Sequence, residues 1–295
     1  MKTIITEKMV FGGDCLAKIE GKNVFVPFAL PGEKLEVEIV ESKKDYDNGQ
    51  IVKILKESPY RQEAPCKYYG KCGGCNMLHI KPDYQRELRK IILHDIFAQN
   101  GIDIKDKTQV IFGPEYNYRA RFQLNEGGLS VYNSNLIVPI DNCLCAEKVI
   151  NEYFAQTSMN DRPKGRTHLF ASQFSEDKEK VMLAYSQKND KVKQTINPKN
   201  KKIKIKENHY FAGTQLSPEN TTSVILNNKK LSFDVRGFFQ SNLFVFEKVT
   251  QLILDNLPGG KNILDMYAGC GSISSFLTEK YENVVLVEHN RDAIV

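Results

Sequence analysis

The sequence predicts a multidomain α+β protein in three parts. These are an N-terminal OB-like β-barrel, a central, mainly antiparallel β domain, and a C-terminal, partial Rossmann-like α/β unit. Three observations predict it. Short apolar strands separated by turn residues fill the first 57 positions, and similar short strands recur from about 108 to 236. The last stretch then reads strand, glycine-rich turn, helix, strand. At 295 residues the chain is too long for one small core, and the pattern divides it at 1–57, 58–236 and 237–295.

The barrel is read from its alternation. Phe25-Val26-Pro27-Phe28-Ala29 is an apolar strand closed by the turn Leu30-Pro31-Gly32-Glu33. Residues 34–40 then alternate polar and apolar, the period of a half-buried strand, and Gln50 to Leu55 forms another. A proline-containing boundary, Glu57 to Arg61, follows. Tyr84 to Gln99 reads as a helix with Leu88, Ile91, Ile92 and Ile96 on one face, stopped by Asn100-Gly101. This helix over 84–99 is a candidate to pack on the C-terminal domain.

The central strands are read at 121–124, 129–132, 168–171, 181–185 and 231–235. Among them, Lys188 to Lys206 is rich in lysine, which suits a solvated loop or hairpin, or alternatively phosphate contact. Beyond 237, a helix over 243–257 puts Phe246, Val249, Ile253 and Leu257 on one face. A buried strand at 262–266 enters Ala268-Gly269-Cys270-Gly271-Ser272. A helix to about Tyr281 and a strand from Val284 to Glu288 complete one βαβ unit.

Composition narrows the function. With 26% charged residues and ordinary apolar content, global disorder is excluded. No run nears the roughly 20 apolar residues of a membrane span. Met1 to Gly13 has no apolar core of signal-peptide length, so a cytoplasmic protein is expected. The net charge of +5 is too small to prove a nucleic-acid partner.

The seven cysteines say more. Cys66, Cys72 and Cys75, the last two bracketing Gly73-Gly74, crowd into ten residues. In a cytosolic chain that favours a metal or cluster over disulfides. Spacing leaves open an iron–sulfur cluster, zinc or incidental thiols. A [4Fe–4S] cluster needs a fourth thiolate, for which Cys143 and Cys145 are the candidates. In the βαβ unit, the glycine turn aims backbone N–H groups at a ligand, and Glu288 is placed for two ribose hydroxyls. That pair fits a nucleotide or S-adenosylmethionine equally, against ordinary α/β packing. Gly237 to Asn242, read alone, is a capping turn with two core phenylalanines.

In order and combination, these segments resemble the RNA uracil-5-methyltransferase family. The likeness is close to its subgroup with an N-terminal TRAM domain and a [4Fe–4S] cluster acting on large-subunit ribosomal RNA. It rests on Phe11-Gly12-Gly13 and residues 25–33, on Cys66, Cys72 and Cys75, and on Tyr118-Arg119-Ala120-Arg121. It rests also on Phe239-Gln240-Ser241-Asn242 and on residues 265–271, Asp265 to Gly271. The resemblance implies S-adenosylmethionine lined by Gln240, Tyr267, Ser272 and Glu288. It implies a cluster on Cys66, Cys72, Cys75 and Cys143, the last chosen because Ile150-Asn151 follows it. It implies 23S ribosomal RNA as partner and a monomer. The family's chemistry adds a cysteine thiolate to uracil C6, methylates C5, then removes the C5 proton with a carboxylate, and elimination of the thiolate frees the product. Both residues are expected beyond Val295, which lies seven positions after Glu288, so the methyltransferase domain is expected to be incomplete.

Two further readings compete. One is a non-catalytic RNA-binding TRAM and iron–sulfur module with a vestigial cofactor site, separable by S-adenosylmethionine binding. The other is a zinc-stabilised nucleic-acid protein with a dinucleotide-type fold, separable by iron and sulfide content.

Overall fold

The computed structural model describes residues 1–186, 204–210, 220–290 and 293. They form two compact units: Met1–Val110 with Val131–Ser134, and Ile111–Ser130 with Asn135–Val295. This differs from the three-part division at 57 and 236. The cysteine segment and the helix after it belong with the barrel.

In the first unit six strands run β1 (Lys2–Ile5), β2 (Lys8–Met9), β3 (Cys15–Ile19), β4 (Lys22–Val26), β5 (Lys34–Ser42) and β6 (Tyr46–Lys56). They form one sheet in the order β1-β5-β6-β4-β3-β2, antiparallel except for the parallel β4–β6 pair. The alternation decides which side is core. Val24, Val26, Leu35 and Val37 are fully buried, while Lys34 and Glu38 between and beside them face out. A Cβ at Gly49 would stand 3.2 Å from a Val24 methyl, so the glycine lets β6 lie close against that core.

The strand expected over 25–29 ends early, at Val26. The chain turns there because Phe28 is left-handed (φ 62°) and Glu33 gathers the turn beneath it. The buried Glu33 carboxylate accepts from the N–H groups of Leu30 (2.9 Å) and Ser58 (3.2 Å) and pairs with Arg61 at 2.6 and 2.7 Å. Burial works against its charge, but the Arg61 and backbone hydrogen bonds outweigh it and hold the carboxyl below the usual range.

Helix α1 (Pro82–Gln99) begins on a proline, which needs no N–H in the first turn, and stops at Asn100-Gly101. The predicted stripe is only partly buried. Leu88 enters the barrel core with Met77 and Ile80, and Tyr84 and Ile92 pack on it, but Ile91 and Ile96 are each 37% exposed. Lys8 pairs with Asp95 at 2.7 Å. Helix 84–99 therefore packs on the barrel within the first unit.

The second unit holds β7 (Arg121–Asn125), β8 (Leu129–Ser130), β9 (Ile137–Val138), α2 (Lys148–Gln156), β10 (Arg166–Phe170), β11 (Lys180–Ser186) and β12 (Lys204–Tyr210). It continues with β13 (Thr221–Leu226), β14 (Lys229–Asp234), α3 (Leu243–Asn256), β15 (Gly260–Met266), α4 (Ser274–Leu277) and β16 (Tyr281–Val287). The main sheet is ordered β12-β11-β10-β7 and is antiparallel apart from β11–β12. The lysine-rich run from 188 to 203 lies outside the described residues. The β13–β14 hairpin turns on Asn227-Asn228, both left-handed as a tight two-residue turn requires.

Phenylalanines from separate elements make this unit's core. Phe233 stacks on Phe239 at 3.7 Å, with Phe170, Phe246 and Phe276 in the same cluster. The buried face of α3 is Leu243, Phe246 and Thr250, one turn earlier than the predicted stripe ending at Leu257. The helix expected to reach Tyr281 is the single turn α4. The chain leaves it because the Lys280 ammonium donates to the carbonyls of Leu254 and Leu257 at the end of α3. The Lys280 carbonyl meanwhile accepts from Gly260 N–H.

Candidate functional site

Strands β15 and β16 are parallel, with Met266 beside Val287, so their carboxyl ends finish together. The backbone then turns sharply. Tyr267 is left-handed (φ 62°) and 86% exposed, and Gly269 and Gly271 are also left-handed. Ala268 N–H donates to Val287 O at 3.1 Å, tying the turn to the neighbouring strand. Glu288 stands one residue past β16. Its carboxylate accepts from Asn290 N–H at 2.5 Å and from Gly269 N–H at 2.8 Å. These two amides hold the carboxyl below its usual range, so it is ionised at neutral pH. A carboxylate has about four acceptor positions, so two remain for a ligand.

One sequence argument does not survive. A single-turn α4 is too short to supply a helix N-terminus to a ligand, so the turn itself must do so. Ser272 is half-buried within it, and Ser274 Oγ donates to the Asp265 carboxylate behind it. Burial raises the Cys270 thiol to about 11, so it is protonated at neutral pH.

The Gly237–Asn242 segment is a capping turn, as its composition suggests: Asn242 accepts from Val245 N–H at 3.1 Å. One of its phenylalanines is core and the other is not, Phe239 being 2% and Phe238 66% exposed. Cys270 and Ile273 of the glycine turn pack on the cluster that contains Phe239, so one core brings both motifs together. Gln240, the next residue, is half-buried. The Tyr118–Arg121 run clasps the same segment, which sequence reasoning did not foresee. Ala120 N–H donates to Ser241 O at 2.8 Å, and Arg121 Nη2 donates to Gly237 O at 2.7 Å. His168 lies 3.3 Å from that guanidinium. Burial, then the charge of Arg121, pushes its pKa down to about 4, leaving it neutral.

The cysteine segment lies in the first unit. Cys66, Cys72 and Cys75 are half-buried free thiols, and Gly74 N–H donates to Cys72 Sγ at 3.4 Å. The loop is braced by Tyr132, whose N–H donates to Lys71 O at 2.8 Å and whose ring meets Phe28 at 5.3 Å. Cys143 and Cys145 lie in the second unit. Cys145 is 5% exposed, its carbonyl accepts from Tyr118 and Arg119 N–H, and Tyr118 OH donates to its sulfur at 3.5 Å. Cys143 is more open, and the side chain of Asn151 grips its backbone. Hydrogen bonding to Cys145 and burial push the Cys143 thiol up. Among the described residues no three His, Cys, Asp or Glu side chains are gathered as a metal site. Within the first unit, Cys66, Cys72 and Cys75, with an amide N–H on one sulfur, are soft donors of the kind that suit a metal or an iron–sulfur cluster. No described helix is long and apolar enough to cross a membrane.

The TRAM domain family matches residues 3–52. An RNA methyltransferase of Treponema denticola, otherwise uncharacterized, is 32% identical across 98% of this chain and 68% of its own length. The 23S rRNA (uracil(1939)-C(5))-methyltransferase RlmD of Haemophilus parainfluenzae is 28% identical across 95% of this chain and 68% of its own. In fold, the chain is similar to the tRNA (uracil-54, C5)-methyltransferase of Pyrococcus abyssi, solved with S-adenosyl-L-homocysteine. The TM-score is 0.71 at 20% identity, covering 98% of this chain and 74% of that one.

Proposed function

Because the chain belongs to the RNA uracil-C5 methyltransferase family, we propose that it methylates C5 of a uridine in 23S ribosomal RNA with S-adenosylmethionine as donor. Glu288 carries the reading. Its carboxylate sits where the parallel strands end, fixed by Gly269 and Asn290, with acceptor positions left for two ribose hydroxyls. Gln240, Tyr267 and Ser272 line the same pocket. The relative from Haemophilus parainfluenzae bears the 23S name, and the Pyrococcus abyssi neighbour was solved with the demethylated donor.

S-adenosylmethionine supplies an electrophilic methyl group. Uracil C5 becomes nucleophilic when a thiolate adds to C6; C5 takes the methyl group and S-adenosylhomocysteine leaves; a base then takes the C5 proton as the C6–S bond breaks, restoring the double bond and freeing the thiolate. Cys270 is a poor source of that thiolate, since burial keeps it protonated, and Cys145 is enclosed in the core. We assign neither the nucleophile nor the base to a described residue.

In this reading the N-terminal barrel grips RNA, the cysteine segment beside it carries a structural [4Fe–4S] cluster, and residues 237–295 hold the donor. Cys66, Cys72, Cys75 and Cys143 are the cluster ligands in this reading, supported by the family resemblance and by the Gly74 amide on Cys72. The cluster would be structural, ordering the domain that carries it against RNA. The protein acts as a cytoplasmic monomer.

The test is incubation of anaerobically purified protein with protein-free 23S RNA and methyl-labelled S-adenosylmethionine. Binding of S-adenosylmethionine and of RNA is expected, and labelled 5-methyluridine in the digested RNA would place the nucleophile and the base within residues 1–295, against the expectation that they lie beyond Val295. Retained RNA binding without S-adenosylmethionine binding would overturn the proposal in favour of a non-catalytic RNA-binding module.

A further inference from the structure

We propose that Phe11 is a base-stacking contact for unpaired RNA, and that Asn76 positions the turn that presents it. This rests on the RNA-binding reading above and names a site for it.

Phe11 lies in the turn between β2 and β3 and is 83% exposed, while Met9 and Cys15 on either side are buried. A lone exposed aromatic residue is ordinary on a protein surface. The turn beneath this one is not. Val10 N–H donates to Asp14 O at 2.9 Å and Gly13 N–H donates back to Val10 O at 3.0 Å, closing the loop on itself. Gly12 and Gly13 are both left-handed, at φ 101° and 96°, a conformation that side-chain-bearing residues adopt only under strain. With two such residues the chain folds back at once, and the Phe11 ring stands in solvent.

Asn76 then fixes the turn from outside. Its Nδ2 donates to Gly12 O at 2.5 Å. A Cβ on Gly13 would fall 2.5 Å from the same nitrogen, so the amide fits there only because position 13 is glycine. Asn76 is itself anchored, between Cys75 and Met77, and Met77 is part of the barrel core. The result is an aromatic ring held in solvent on a stiff base.

Stiffness matters for the ligand. A turn already fixed loses little backbone freedom when a base stacks on the ring it carries. Phenylalanine offers a π-face and no hydrogen-bonding group, so the contact suits any unpaired base and adds grip without sequence choice. A helical duplex keeps its bases stacked on each other and offers no face, so the class of ligand is single-stranded or looped RNA.

The experiment uses the full chain and a single-stranded RNA oligonucleotide carrying 2-aminopurine, whose fluorescence is quenched on stacking. The unaltered protein is expected to bind and quench. Phe11→Ala is expected to lose the quenching and bind about tenfold more weakly, while Phe11→Tyr keeps both. Asn76→Ala is expected to reduce the quenching with the ring still present. Thermal unfolding of Phe11→Ala should match the unaltered protein, because the ring is exposed. Quenching and affinity unchanged in Phe11→Ala, with the unaltered protein binding RNA normally, overturns this proposal alone. Failure of the unaltered protein to bind the oligonucleotide overturns the RNA-binding reading and this site with it.

Discussion

Asn151 holds Cys143 by both ends of its peptide unit: Oδ1 accepts from Cys143 N–H at 2.8 Å, and Nδ2 donates to Cys143 O at 2.9 Å. The same amide reaches Ala146 O at 3.3 Å, so one side chain closes the whole Cys143–Ala146 turn. Ile150 beside it is fully buried and roots the first turn of α2. Asn151→Ala removes the acceptor and donors together. A loss of about 1–3 kcal/mol in unfolding free energy is expected, measured by urea denaturation. If Cys143 is a cluster ligand, iron and sulfide per chain fall as well. Asn151→Asp keeps the acceptor and loses the donors, and should lie between.

Acid should destabilise the second unit through His168. The folded side chain titrates near 4, against 6.5 when unperturbed, because burial and Arg121 disfavour its charge. Between those values the unfolded chain binds a proton that the folded chain does not. The stabilisation is therefore fully present above pH 6.5 and is lost as pH falls toward 4, on the order of 3 kcal/mol in total. His79 in the first unit is likewise lowered to about 4 by burial and adds its own slope. In His168→Asn, the pH dependence of unfolding free energy over this window should shrink by about half. An unchanged slope would show that His168 is not buried in its neutral form.

Glu288 gives a sharper test of the donor pocket. Its carboxylate faces two N–H groups, from Gly269 and Asn290. In Glu288→Gln one of the two must meet an NH2 group instead of an oxygen, so the isosteric change also breaks the clamp. Binding of S-adenosylmethionine, followed by calorimetry, should weaken about tenfold or more in both Glu288→Gln and Glu288→Ala. A glutamine variant that binds like the unaltered protein would remove Glu288 from the pocket.

Patterning made the barrel strands legible, since alternation of apolar and charged residues over 34–40 fixes which side is buried. It failed at residues 25–29, where an apolar run looks the same as strand or as buried turn. The turn there is set by Glu33 and Arg61, 28 positions apart, which no local pattern reports. The stripe of α1 was overread for a similar reason, since a helix can be apolar on a face that its own unit leaves exposed. In the turn after β15, the glycines were legible because few residue types adopt a left-handed backbone. The clasp of Arg121 and Ala120 on Gly237 and Ser241 was not, because the Arg121–Gly237 bond alone joins residues 116 positions apart. The Ile150-Asn151 pair served only as a marker after Cys143, and its hydrogen bonds supply the physical reason for it.

The two glycines of the turn after β15 separate a ligand-binding role from ordinary packing. Both are left-handed, at φ 60° for Gly269 and 73° for Gly271, so alanine at either costs roughly 1 kcal/mol of backbone strain. Their surroundings differ. A Cβ on Gly271 would stand 3.1 Å from Leu286 Cδ2, so Gly271→Ala must push on the neighbouring strand. A Cβ on Gly269 would meet nothing within 4 Å, so it would occupy only the open space beside the Glu288 carboxylate. Gly271→Ala is therefore expected to lower the unfolding temperature more than Gly269→Ala. Gly269→Ala is expected to weaken S-adenosylmethionine by more than its small stability loss explains, because the added methyl fills the space the donor needs. If calorimetry shows unchanged affinity in folded Gly269→Ala, that space is not the donor site, and the glycine turn serves the packing of two strands alone.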